Sequence, residues 1–177
     1  DYKIGKEEIE IWSRLLKKYS NVSLMIFISG EDSKKNILKF VQSEGVNQNR
    51  LQFCLRTDYI SHLKRLSNID LALDTFNYNS HTTGSDYLIS QLPFVSRIGN
   101  SFASRVGASL LKNAGFDSLV ATSSEQYFDL ISFLIEDKNY LINLKKKLSS
   151  TIDSSVLFDS EKFITKLEKA YQDCLND

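Results

Sequence analysis

Short apolar runs alternate with segments of helical periodicity along the whole chain. The predicted strands lie near residues 24–29, 51–54, 69–74, 93–97 and 118–121. The run over 24–28 is continuously apolar, as expected for a strand that is covered on both faces. Strands that alternate with helices favour an α/β fold, in which a parallel, doubly wound sheet carries helices on both faces.

The length of 177 residues suits one domain, and 42% of the residues are hydrophobic, which is typical of a globular protein. We expect a single α/β domain over about residues 1–150 and a C-terminal helical segment over about 156–175. The sequence begins at Asp1 without an initiating Met. We therefore expect it to be a piece of a longer protein.

Charge and cysteine content limit the classes of partner. Lys plus Arg and Asp plus Glu both number 22, so no net charge attracts the chain to nucleic acid. No apolar run approaches the roughly 20 residues of a membrane helix, and we expect no membrane partner. The two cysteines, Cys54 and Cys174, predict reduced thiols and a cytoplasmic location.

The polar stretch after the third predicted strand carries the clearest chemical pattern. Asp74 ends that strand, a polar loop follows, and Thr82 and Thr83 open a helix. The first N–H groups of a helix lack partners and carry partial positive charge. Together with the two hydroxyls and the imidazole of His81, they would suit a phosphate or pyrophosphate.

Asp86 follows Thr82 by four residues and so lies on the same helix face. Helical side chains tilt toward the N-terminus, and the carboxylate would accept hydrogen bonds from a ribose diol beside the phosphates. A plainer interpretation also fits these residues. Thr commonly caps a helix, and Asp in the first turn complements the helix dipole.

Several motifs together resemble the O-linked N-acetylglucosamine transferase family, which includes the SPINDLY-type proteins. They are Tyr2-Lys3-Ile4, Trp12, Asn49-Arg50-Leu51-Gln52-Phe53, His62-Leu63-Lys64-Arg65, His81-Thr82-Thr83-Gly84-Ser85-Asp86, Leu92-Pro93-Phe94-Val95, the segment from Ala103 to Leu111, and Leu157-Phe158-Asp159. The resemblance covers nearly the whole chain. It implies the donor-binding, C-terminal half of a GT-B enzyme, which is a Rossmann-like domain facing a second half across a cleft.

The resemblance also implies roles for individual residues. Lys3 would neutralise the departing pyrophosphate, and Asp86 would bind the ribose. The other implied donor-binding residues are Thr57, His62, Arg65, His81, Thr82 and Thr83. Tyr59 stands where animal members have a lysine, which is a departure from the family at the base-binding position.

The implied reaction is inverting transfer of N-acetylglucosamine from UDP-GlcNAc to a protein Ser or Thr hydroxyl, without a metal or other cofactor. The N-terminal half of the enzyme, any tetratricopeptide repeats and the proposed general base would lie outside this chain, so we expect no activity from the chain alone. In the family, a further strand in the middle of the sheet directly precedes the Lys3 loop. Two alternatives remain open, a SPINDLY-like fucosyltransferase half that uses GDP-fucose and a non-catalytic nucleotide-binding or interaction module.

Overall fold

The computed structural model describes residues 3–176, with the side chain of Asn176 excepted. Tyr2, which belongs to the resemblance above, lies outside the described residues. Five strands and eight α-helices alternate in the predicted manner. The strands are β1 Leu24–Phe27, β2 Leu51–Cys54, β3 Ala72–Leu73, β4 Phe94–Arg97 and β5 Val120–Ala121. The helices are α1 Lys6–Lys18, α2 Glu31–Ser43, α3 Tyr59–Leu66, α4 Thr82–Ile89, α5 Val106–Asn113, α6 Ser124–Glu136, α7 Lys138–Thr151 and α8 Ser160–Asn176.

All strand pairs are parallel, which confirms the predicted fold class. Within the described residues the strands form two groups, β1–β2 and β3–β4–β5, rather than one continuous sheet. β3 and β5 are shorter than predicted. The N–H of Ile69 donates to Leu66 O in a turn, and Asp117–Leu119 forms a 3-10 turn, so neither segment joins the adjoining strand.

Helices cover both faces of the β3–β4–β5 group. Adjacent residues of a strand point to opposite faces. Ser96 of β4 faces Gly107 in α5, whereas Arg97 bonds to Glu7 in α1 and to Ser124 in α6. The larger hydrophobic core joins these layers. Its fully buried members include Leu88, Phe94, Leu111, Tyr127 and Leu134.

Side-chain caps mark the starts of several helices. The carboxylate of Asp58 accepts from Ser61 N at 2.9 Å and caps α3. Ser123 accepts from Gln126 N at 3.1 Å and caps α6. α5 begins at Val106 because hydrogen bonds between Ser101 and Ser104 close a turn before it.

α8 packs differently from the other helices. The side chains of 160–175 are all exposed, among them Phe163 and Tyr171 at 62% and 63%. No helix in the described part of the chain has both the length and the apolar character needed to cross a membrane.

Candidate functional site

The start of α4 lies at the end of a tightly held polar loop over residues 75–80. Thr82, the first helical residue, is exposed, and Thr83 is half-buried. The N–H groups of Thr82 and Thr83 precede the first intrahelical bonds, which Gly84 N and Ser85 N donate to His81 O. An anion placed there would meet these two N–H groups.

Asp74 holds the loop at its two ends. This carboxylate has no exposed surface, and its Oδ1 accepts from the backbone N of Thr75 at 2.9 Å and of Ser80 at 2.6 Å. Its Oδ2 accepts from the hydroxyl of Ser96 at 2.6 Å. Burial raises the pKa of Asp74, while these hydrogen bonds oppose the rise. The carboxylate therefore fixes the direction from which the chain enters α4.

Asn79 ties the same loop to the segment before α5. Its backbone N donates to Ala103 O at 2.8 Å, and its side-chain nitrogen donates to Thr75 O at 2.6 Å. Its side-chain oxygen accepts from Gly107 N at 3.3 Å. Because Asn79 is fully buried, these bonds leave the loop little freedom.

Lys3, which lies near the N-terminus, contacts the 75–80 loop. Its Nζ donates to Asn79 O at 3.2 Å and lies 4.2 Å from the ring centroid of Tyr78. The Tyr78 ring stacks on the imidazole of His81 with centroids 4.6 Å apart. Partial burial lowers the pKa of Lys3, and the negative charge of Asp74 opposes that effect. The ring of Tyr78 therefore contacts both the Lys3 ammonium and His81, the residue directly before α4.

Asp86 lies one turn into α4 and faces α3. Its side chain is mostly buried, and its Oδ1 accepts from the hydroxyl of Tyr59 at 3.2 Å. Its Oδ2 lies 3.6 Å from Nε2 of His62, and Nδ1 of His62 lies 3.1 Å from a guanidinium nitrogen of Arg65. A second Arg65 nitrogen donates to Leu55 O at 3.0 Å. Three predicted site residues therefore form one polar chain.

Thr57 stands apart from the other predicted site residues. Its hydroxyl donates to Oδ2 of Asp58 at 3.2 Å, and its side chain is exposed. Among the described residues no hydrogen bond joins this side chain to the rest of the site. Thr57 is therefore not part of the polar chain that Arg65, His62 and Asp86 form.

Sequence analysis did not assign a role to several residues that shape the site. Tyr59 marks only a departure from the family pattern, and neither Asp74 nor Asn79 has a predicted role. A carboxylate directly after a buried apolar strand was the available signal for Asp74. The bonds that tie Asn79 to Ala103 and Gly107 reach a distant segment of the chain, so no local pattern reveals them.

The geometry provides two chemically different ends. One end combines the Lys3 ammonium with the N-terminus of α4 and suits an anion. The other end presents the carboxylate of Asp86, which suits hydroxyl or N–H donors. Within residues 3–176 no group of three or more His, Cys, Asp or Glu side chains is arranged to hold a metal ion.

Comparison with known proteins places these features in a family. The model of glycosyl transferase family 41 matches residues 1–167. A UDP-N-acetylglucosamine--peptide N-acetylglucosaminyltransferase of Caenorhabditis elegans is 29% identical and matches 94% of this chain. A probable enzyme of the same name, SPINDLY, from Solanum lycopersicum is 28% identical and matches 96%.

A solved structure agrees with the sequence relatives. A mutant of O-GlcNAc transferase from Thermobaculum terrenum superposes with a TM-score of 0.89, at 28% identity over 96% of this chain. The match confirms the α/β architecture as half of a GT-B enzyme. The chain spans 33% of that structure's chain and only 14% and 19% of the two curated relatives.

Proposed function

The chain belongs to glycosyl transferase family 41, and we propose that it is the half of a protein O-glycosyltransferase that binds the nucleotide-sugar donor. The observation that carries this proposal is the convergence of Lys3 and the α4 N-terminus through the ring of Tyr78. Asp86 then lies where the ribose of a nucleotide would follow its phosphates. The names of the relatives favour UDP-N-acetylglucosamine as the donor.

The chemical task of this half is to stabilise a departing diphosphate. When the bond between the sugar and the phosphate breaks, negative charge grows on the phosphate oxygens. The Lys3 ammonium, the first N–H groups of α4 and the hydroxyls of Thr82 and Thr83 would stabilise that charge, and donors already held in place would do so without reorganisation. This set of groups would neutralise the diphosphate without a metal ion.

The nucleoside would lie toward α3. Asp86 would accept hydrogen bonds from the ribose hydroxyls, and His62 and Arg65 would line the nucleoside side of the site. The backbone near Thr57 would meet the edge of the base. The polar chain from Arg65 through His62 to Asp86 supports this assignment, because it fixes the carboxylate in one orientation.

Transfer would need groups beyond this chain. We propose that the acceptor is a protein Ser or Thr hydroxyl and that inversion occurs at the sugar carbon. The general base would lie in the other half of the cleft, and tetratricopeptide repeats would belong to the same protein. An isolated donor-binding half would therefore bind nucleotide without transferring sugar. We propose a cytoplasmic location, in keeping with two cysteines that form no disulfide.

Calorimetric titration with UDP, uridine, GDP and guanosine tests the donor assignment. We expect UDP to bind more tightly than uridine because the anion end adds the phosphate contacts. Adding EDTA should leave the UDP affinity unchanged. Preference for GDP would instead support a SPINDLY-like half that uses GDP-fucose, and the absence of binding by either diphosphate would refute the donor site.

A radiolabelled-donor assay separates a catalytic half from a binding module. The 177-residue chain alone should not label a peptide, whereas a longer protein that contains it should. If the longer protein binds UDP without transferring sugar, the alternative of a non-catalytic nucleotide-binding module holds. Turnover by the short chain alone would contradict the proposed division of labour.

A further inference from the structure

Glu8 is a carboxylate that is almost fully buried in the first turn of α1. Only 1% of its surface is exposed. Its Oε2 accepts from the backbone N of Gly5 at 3.0 Å, and its Oε1 accepts from the backbone N of Phe76 at 2.8 Å. Both carboxylate oxygens act as acceptors. Burying a charged group is costly unless its hydrogen bonds are satisfied.

The two amides that Glu8 binds belong to different parts of the proposed anion end. Gly5 lies two residues after Lys3, whereas Phe76 lies in the 75–80 loop that leads into α4. The bond to Gly5 is a local helix cap, but the bond to Phe76 spans 68 residues. Capping α1 uses only one oxygen of the Glu8 carboxylate. The other oxygen binds Phe76 N and so holds the 75–80 loop against the start of α1.

We propose that Glu8 is a positioning residue, which fastens the segment carrying Lys3 to the 75–80 loop so that the ammonium and the α4 N-terminus face one anion. The identity of that anion as a nucleotide diphosphate rests on the proposed function. The placement of Lys3 by Glu8 is independent of the proposed function. The Lys3 Nζ bond to Asn79 O lies at the far end of the same loop, so Glu8 and Lys3 hold it at two points.

Replacing Glu8 with Gln separates this role from simple packing. Gln has nearly the same shape, but it offers one acceptor oxygen and one donor group. Either Gly5 N or Phe76 N therefore loses its acceptor and faces a donor instead. Glu10→Gln is the matched control, since it removes the same charge from the same helix at a surface position paired with Lys6.

Calorimetry with UDP and uridine measures the effect on the ligand. Glu8→Gln should weaken UDP about tenfold and leave uridine unchanged, while Glu10→Gln should change neither. With Lys3→Met already present, Glu8→Gln should add little, because residues that act through one another are not additive. Equal losses for uridine and UDP, or a full tenfold loss on top of Lys3→Met, would overturn the proposal.

A measurement without ligand keeps the two proposals distinct. The pKa of Lys3 is lowered mainly by burial. Release of its segment in Glu8→Gln should raise that pKa toward the ordinary value, as followed by NMR titration of the Lys3 side chain. Glu10→Gln should leave it where it is. If no nucleotide binds the unaltered chain, the proposed function fails, yet an unchanged Lys3 pKa in Glu8→Gln would still be the result that refutes the role of Glu8.

A second variant covers the case in which Glu8→Gln does not fold. A Cβ atom at Gly5 would lie 2.8 Å from Oε2 of Glu8. Gly5→Ala therefore pushes the carboxylate aside without adding or removing a charge. It should raise the Lys3 pKa in the same direction as Glu8→Gln. A Lys3 pKa that stays as low as in the unaltered chain would count against the proposal.

Discussion

The hydroxyl of Tyr59 donates a hydrogen bond to Oδ1 of Asp86 at 3.2 Å, across the gap between α3 and α4. The other carboxylate oxygen lies 3.6 Å from Nε2 of His62. Both oxygens of Asp86 therefore have neighbours before any ligand arrives. A ribose diol would have to share or displace the Tyr59 hydroxyl, which makes Tyr59 a competitor at the proposed nucleoside end.

Tyr59→Phe tests this competition. Removing the hydroxyl frees Oδ1 of Asp86, so the affinity for uridine and for UDP should rise severalfold, and by the same factor for both. The ring is kept, and any stacking with the base remains. Calorimetry with both ligands measures the change. A loss of uridine affinity would mean instead that the Tyr59 hydroxyl contacts the ligand directly.

Two substitutions on α4 separate phosphate from ribose recognition. Thr82→Val keeps the shape of the side chain and removes a hydroxyl that would face phosphate. It should weaken UDP by about 1.5–3 kcal/mol, the usual worth of a hydrogen bond to a charged group, and leave uridine nearly unaffected. Asp86→Ala should weaken both ligands. For UDP, part of the loss is offset because a negative charge near the phosphates also disappears.

Calorimetry or ligand-observed NMR on both variants measures these differences. If Thr82→Val weakens uridine and UDP equally, Thr82 acts only as a structural cap of α4 and does not contact phosphate. Unchanged binding of both ligands in Asp86→Ala would limit Asp86 to its structural contacts with Tyr59 and His62.

The pH dependence of UDP binding should report Lys3. Its pKa lies below the ordinary value because of burial, so the ammonium loses its proton at lower pH than an exposed lysine would. The ratio of UDP to uridine affinity should therefore be highest below that lowered pKa and fall as the pH rises through it. Protonation changes of the uracil base affect UDP and uridine equally, so they cancel in the ratio of the two affinities.

Lys3→Arg provides the control for this profile. A guanidinium stays protonated throughout the range, so the fall in the affinity ratio at alkaline pH should disappear. A profile that is identical in the unaltered chain and in Lys3→Arg would place the titrating group elsewhere.

Gly107→Ala should destabilise the fold. A Cβ atom at this position would overlap with Oδ2 of Asp74 and with the hydroxyl of Ser96, which are buried and hydrogen-bonded to each other. Overpacking of this kind lowers the free energy of unfolding by about 1–3 kcal/mol. Urea denaturation measures the change. Ser109→Ala, at an exposed position of the same helix, is the control and should be nearly neutral.

Removal of α8 should change stability little. A chain that ends at Asp159 loses only exposed side chains and should keep its melting temperature within about 2 °C. A chain that ends at Glu136 also loses the buried Leu144 and Leu148 of α7 and should melt far lower. A large drop on removal of α8 alone would contradict the proposed boundary between the domain and its C-terminal segment.

Local pattern was enough to predict the elements of the fold. The apolar run at 24–27 and the helix that Asp58 caps are each specified by neighbouring residues, through burial periodicity and a side chain within three positions. The pattern at the start of α4 could likewise be predicted from neighbouring residues. Thr82 and Asp86 lie about one turn apart, so their shared helix face follows from helical geometry alone.

Only the tertiary structure decided which distant groups meet. The bond from Phe76 N to Glu8 spans 68 residues, and the bond from Lys3 to Asn79 spans 76. Such pairs depend on how α1 packs beside the 75–80 loop, which no local periodicity encodes. The contact between Tyr59 and Asp86 likewise depends on the approach of α3 to α4. The sequence therefore determined the elements and the motif through short-range physics, whereas the charges and hydrogen bonds around the site were set by long-range packing.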